Sequence, residues 1–133
     1  MKYKIPFLIL CSIFLFSCSN ENELKYNITT AQIPMQDNIH LAADIYWPTG
    51  YRKGDVYPVL LEYIPYRKDE SRGRNYPLYS YFLDNDYIVA RVDIRGTGNS
   101  EGKVIPNEYS DIELDDGEEV IEWLAHQSWS NGK

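Results

Sequence analysis

Cysteine is nearly absent from this chain: there are two, Cys11 and Cys18, both within the first 20 of 133 residues. The remainder of the chain can hold neither a disulfide nor a thiolate metal site. Basic residues are scarce as well, 13 Lys and Arg against 20 Asp and Glu, and a formal charge of −7 argues against a nucleic-acid partner. No apolar run reaches the roughly 20 residues that span a bilayer; Phe7 to Phe16 is too short. Gly96, Gly98 and Gly102 read G-x-G-x-x-x-G and no G-K-[ST] occurs, which excludes the usual phosphate and dinucleotide loops. The rest, 44% hydrophobic and 25% charged with 12 Tyr, is ordinary globular composition for one modest domain or part of one.

Residues 1–17 are expected to be a targeting segment rather than fold. Lys2 and Lys4 form its basic start, and the apolar stretch runs into Leu15-Phe16-Ser17-Cys18, which resembles a bacterial lipobox. That resemblance implies cleavage before Cys18, a lipid on its sulfur and a polar tether over residues 18–25. It also implies a protein of the bacterial cell envelope, lipid-anchored on the periplasmic or outer-membrane side. Losing Lys2 and Lys4 takes the charge from −7 to −9, and Cys11 leaves with the leader. A plain signal peptide or a membrane anchor is the other reading of the same residues.

From Tyr26 the pattern becomes that of strands. Tyr26 to Pro34 alternates loosely and Ile39 to Tyr46 clearly, with Ile39, Leu41, Ala43 and Ile45 on one face and His40 on a polar one. Met35-Gln36-Asp37-Asn38 between them predicts an antiparallel hairpin. Val59 to Ile64 is a short apolar run of the kind expected for an interior strand, ended by Pro65-Tyr66. Leu78, Tyr79, Phe82 and Leu83 predict a helix over residues 76–84, followed by a strand from Tyr87 to about Ile94, so that strand, helix and strand form a parallel crossover. Gly96, Gly98 and Gly102 place a turning loop at the carboxyl end of that strand, the edge where open α/β sheets hold ligands. Tyr66 falls on the same edge as this Arg95 loop. Ser110-x-x-Glu113 has capping-box form and starts a helix over about residues 111–127, with Val120, Ile121 and Leu124 as its apolar stripe. Its acidic cluster lacks the alternate spacing of a calcium loop and reads as a dipole-favoured first turn and a solvated face. His126 and Trp129 read as structural, with no partner acid or nucleophile beside them.

Three segments carry a family likeness: D-x-R-G-x-G-x-S-E-G at Asp93 to Gly102, E-x-x-P-Y at Glu62 to Tyr66, and E-W-L-A-x-Q-x-W-S-N-G at Glu122 to Gly132. With them the chain resembles α/β-hydrolases of the bacterial cocaine esterase and X-prolyl dipeptidyl peptidase group, the CocE/NonD-like hydrolases, over nearly all of residues 33–133. The likeness implies the amino-terminal part of an α/β-hydrolase fold, an antiparallel hairpin leading into a mostly parallel sheet flanked by helices. It implies hydrolysis of small ester or peptide substrates through a Ser, Asp and His triad, without a cofactor or metal. The family carries its nucleophile on a G-x-S-x-x-G elbow after the strand that follows the last helix here. No G-x-S-x-x-G occurs in residues 1–133, so the catalytic domain over residues 26–133 is expected to be truncated before the elbow. The one family catalytic position present is the oxyanion-hole tyrosine, matched by Tyr66.

Three functions compete on the sequence: an amino-terminal piece of a secreted serine hydrolase, inactive alone; a non-catalytic envelope lipoprotein that binds a ligand or partner; and a hydrolase completed by a separately encoded chain. A strand edge left unpaired at the Tyr87 strand counts against the second.

Overall fold

A computed structural model describes residues 26–70 and 72–133; the leader, the tether and Cys18 lie outside the described residues. Strands β1 (Ile28–Pro34) and β2 (His40–Tyr46) form the expected antiparallel hairpin. Its turn closes through Asn38 N–H to Met35 O and Met35 N–H to Ile39 O, and Asn38 takes the left-handed φ of 67° that its short polar side chain tolerates. β3 (Val59–Ile64), helix α1 (Arg72–Leu83) and β4 (Ile88–Asp93) then give the parallel crossover, and α2 (Asp111–Ala125) comes last. The strand order is β1-β2-β4-β3, antiparallel on the β2 side of β4 and parallel on the β3 side.

Two expectations are corrected by this order. β4, the strand from Tyr87, is paired on both flanks and all six of its residues are buried, so it is not the open edge. β3, expected in the interior, is the edge strand and is only half-buried along most of its length. An unbroken apolar run signals burial but not which neighbour provides it. At the start of β3 the chain's last residues already run alongside: Tyr57 bridges Ser130 in parallel, and Val59 N–H donates to Lys133 O.

Alternate residues of β2 and β4 enter two clusters, one on each face of the sheet. Leu41, Ala43 and Ile45 of β2 and Ile88, Ala90 and Val92 of β4 pack with Ile33, Met35 and Trp47 against Val120 and Leu124 of α2. Tyr46 and Val89 face the other way, with Tyr26, onto Tyr79 and Leu83 of α1. Each buried Leu, Ile, Val or Met among them contributes roughly 1.5–3 kcal/mol. The face of β2 read as polar is therefore covered; His40 alone is exposed, while Ala42, Asp44 and Tyr46 lie beneath α1's side of the sheet.

Both helices depart from their sequence reading. α1 begins four residues early, because Arg72 reaches back to the buried Asp44 carboxylate and opens a turn that its neighbours' polarity conceals. Leu78, expected in its apolar stripe, is exposed, as is Ile121 of α2. The capping box of α2 does not form: Glu113 Oε2 accepts the Tyr109 N–H at 2.8 Å instead of the Ser110 N–H, and Ser110 makes no side-chain cap. Tyr109 at φ 59° turns its own N–H toward the helix and takes that acceptor.

Candidate active site

Because β3 and β4 are parallel, their carboxyl ends open on one edge, and two loops leave it there. The first is Pro65 to Asp69. Tyr66 is 69% exposed and its hydroxyl has no hydrogen-bond partner among the described residues. The next residue, Arg67, has φ 63°, an uncommon conformation for a side chain of that size. The second loop, Ile94 to Gly102, holds Gly96 at φ 72°, Gly98 at φ 52° and Gly102 at φ 90°.

Beneath the two loops, on the α1 face, lies a row of charge. Asp44 of β2, Arg91 of β4 and Glu62 of β3 stand directly opposite one another across the three strands. Arg91, fully buried, pairs with Glu62 through Nε and reaches Lys68 O with Nη1 at 2.6 Å; the Tyr79 hydroxyl also donates to Glu62. Asp44 receives Lys68 Nζ at 3.0 Å and Arg72 Nη2 at 2.6 Å. Asp93, also fully buried, accepts the Lys68 N–H on Oδ1 at 2.6 Å and the Asn99 N–H on Oδ2 at 3.0 Å. Isolated buried charges would cost several kcal/mol each; alternating acids and bases held in ion pairs and hydrogen bonds make the cluster tolerable, although Arg72 Nε has no hydrogen-bond partner among the described residues.

The far side of the glycine loop is fixed by Arg95, whose guanidinium forks onto Asp116 at 2.6 and 2.7 Å and also pairs with Asp37. Asp116, expected on a solvated acidic face, is 2% exposed: one carboxylate of that cluster ties α2 to the loop. His40 Nδ1 sits 3.2 Å from Glu101 Oε2 on the surface, as a lone exposed histidine.

Gly98-Asn99-Ser100-Glu101-Gly102 also spells G-x-S-x-G, a nucleophile-elbow pattern, and the structure disposes of it. No helix begins after Ser100 until Asp111. Its hydroxyl donates to Asp93 O at 2.6 Å and accepts the Ala42 N–H at 2.8 Å, so both functions are engaged in stitching the loop to β2. Trp129 packs edge-on against Trp47 and His126 caps α2, as structural residues. Among the described residues no group of His, Cys, Asp and Glu is arranged to hold a metal ion.

The charges at this edge give a pH dependence. Burial would lower the Lys68 pKa, but the Asp44 hydrogen bond and the Asp44, Asp69 and Asp93 charges outweigh it and raise the value. Its contribution is complete below the unfolded lysine pKa of about 10.4 and is lost as pH rises through the folded value. Burial raises the Tyr63 and Tyr79 phenols, which penalises their ionisation in the same alkaline range. On the acid side, the Arg95 hydrogen bond lowers Asp37 and the His40 hydrogen bond lowers Glu101. Their contributions are present above about pH 4 and are lost as pH falls below it. Thermal melts should show a plateau between about pH 5 and 9, with falls on both sides, the alkaline one steeper because its groups are the more buried. A melting temperature unchanged between about pH 9 and 11 would contradict this account.

A mixed sheet with a helix on each face and two loops at the parallel strands' carboxyl ends is an α/β architecture, and its likeness to solved CocE/NonD hydrolases makes it the amino-terminal part of an α/β-hydrolase fold. The family model described as X-Pro dipeptidyl-peptidase (S15 family) matches residues 37–133, and the chain belongs to that family. It is 32% identical over 111 residues to the cocaine esterase of a Rhodococcus species, covering 81% of this chain and 18% of that protein. It is 27% identical over 126 residues to a putative serine esterase of Mycobacterium bovis, covering 78% and 19%. Among solved structures, a CocE/NonD family hydrolase from Staphylococcus aureus superposes with a TM-score of 0.64 at 27% identity, covering 84% of this chain and 26% of that one. The chain thus spans about a fifth of the length of these curated relatives.

Proposed function

We propose that this chain is the amino-terminal part of a serine hydrolase that cleaves ester or amide bonds through an acyl-enzyme, and that it supplies the oxyanion-hole tyrosine, Tyr66, but none of the triad. The observation that carries this reading is the placement of Tyr66. It stands exposed with an unengaged hydroxyl at the carboxyl end of a parallel strand, on a turn held by buried charge. A packing tyrosine would be covered; a donor that stabilises charge developing on substrate must be free. The protein is further proposed to reach the cell envelope as a lipoprotein anchored through Cys18.

The test is to sequence the genomic locus past Lys133 and express the complete reading frame with its own leader. A short apolar strand and then G-x-S-x-x-G is expected. The complete protein should hydrolyse p-nitrophenyl esters or dipeptidyl-Pro anilides and be labelled by a fluorophosphonate on that serine, while residues 1–133 alone turn over nothing. Mass spectrometry of the mature terminus should find diacylglyceryl on Cys18. A frame that ends without an elbow, or turnover by the 133-residue product, removes the proposal; an unmodified Cys18 removes the anchor alone.

A further inference from the structure

We propose that Asp93 is a positioning residue for Tyr66: its buried carboxylate staples the Tyr66 turn to the glycine loop and so fixes where the tyrosine hydroxyl stands. This rests on Tyr66 being an oxyanion donor. Three independent features converge on it. Asp93 is fully buried at the last position of β4, and its two oxygens are divided between the two loops, Oδ1 to Lys68 N–H and Oδ2 to Asn99 N–H. The peptide groups of Lys68 are gripped at both ends, the N–H by Asp93 and the carbonyl by Arg91 Nη1, and its ammonium is drawn in to Asp44. Between this gripped residue and Tyr66 sits one residue, Arg67, in the left-handed region.

A left-handed residue with a Cβ is disfavoured, and what Arg67 gains locally is weak: its carbonyl accepts the Glu70 N–H at 3.1 Å, and its ion pair to Glu70 is exposed. The turn stays because the next residue is held by buried, charge-assisted hydrogen bonds. Released from Asp93, the chain at Arg67 can relax, and the largely exposed Tyr66 ring moves with it. An oxyanion donor displaced by about 1 Å is a weak one, so the loss should fall on turnover rather than on substrate binding.

The experiment uses the complete protein in four forms, wild type, Asp93→Asn, Tyr66→Phe and the double variant, with Val120→Ala as a control that loosens the α2 face of the core. Asparagine keeps the size and one acceptor but turns an NH2 toward one of the two backbone donors. Asp93→Asn should lower kcat at least tenfold with KM within about twofold, and only two- to threefold when Tyr66 is already Phe. Equal losses in both backgrounds, or the same kcat loss in Val120→Ala at matched melting temperature, overturns the inference. If Asp93→Asn does not fold, Arg91→Lys is used, which keeps a cation for Glu62 but loses the fork to Lys68 O; the same background dependence is required of it. Amide hydrogen exchange separates this inference from the functional reading. In Asp93→Asn, residues 67–69 should exchange faster than in Val120→Ala even if the wild type hydrolyses no substrate, in which case the assignment of Tyr66 to an oxyanion hole fails and the staple stands. Unchanged exchange there overturns the staple.

Discussion

Gly96→Ala is expected to cost about 3 kcal/mol or more, a large fraction of the stability of a small domain, while Gly50→Ala costs only about 1–2 kcal/mol. Both glycines have positive φ, 72° and 87°, so both substitutions bear the penalty of placing a Cβ in the left-handed region. They differ in what the Cβ meets. At Gly50 nothing lies within 4 Å, whereas at Gly96 it falls 2.7 Å from Lys103 O and closer still to Lys103 C and Val104 N. Those are backbone atoms and cannot rotate aside, so overpacking adds about 1–3 kcal/mol more. Against a total stability of roughly 5–15 kcal/mol the sum is large. Gly98→Ala should be similarly severe by another route, since its Cβ would enter the Asp93 carboxylate, 2.8 Å from Oδ1 with Oδ2 nearer. Urea unfolding of the three variants beside wild type decides it. A Gly96→Ala variant no less stable than Gly50→Ala would mean that residues 103 and 104 are free to move away, and the glycine loop would then not be rigid.

The contrast also shows what can be read in the sequence and what cannot. The hairpin, the parallel crossover and the glycine loop are legible because each rests on local physics: apolar residues at alternate positions of β2, Asp37 and Asn38 at a turn, positive-φ glycines after β4. The position of Tyr66 at a strand end is legible for the same reason. The long-range choices are not. Nothing local says that Asp116, alone among its acidic neighbours, turns inward to Arg95, or that Lys68 and Asp44, far apart in the chain, are buried as a pair. Such partners are chosen by which strands end up adjacent, and the apolar runs point to a different neighbour order from the one that puts β4 between β2 and β3. The failed capping box has the same character: Ser110 and Glu113 fit the pattern, but Tyr109 wins the carboxylate by a backbone turn that no propensity scale reports. One local signal of the buried cluster does exist. Arg91 and Asp93 alternate within an otherwise apolar strand, and charge at alternate positions of a buried strand marks a face where a polar network must form.

The largest catalytic effect is expected from Tyr66→Phe in the complete protein. The substitution keeps the ring and removes one hydroxyl, and that hydroxyl has no partner among the described residues. If it donates to an oxyanion, its loss lowers kcat by about 10² to 10³, or roughly 3 to 4 kcal/mol of transition-state stabilisation, with KM little changed because the interaction strengthens as charge develops. If it were a packing residue the ranking would reverse: activity would be kept and stability would fall. At 69% exposure there is little packing to lose, so the melting temperature should stay within the shift that corresponds to about 0.5 kcal/mol. Steady-state kinetics and thermal melts on the same preparations therefore read two quantities that rank oppositely under the two hypotheses. A Phe variant with near wild-type kcat would leave residues 26–133 as a scaffold without a catalytic group. A loss of about 10²-fold at unchanged stability would place the hydroxyl at the reacting carbonyl. The buried charge beneath it, from Asp44 through Arg91 to Asp93, would then be the foundation on which that donor is held.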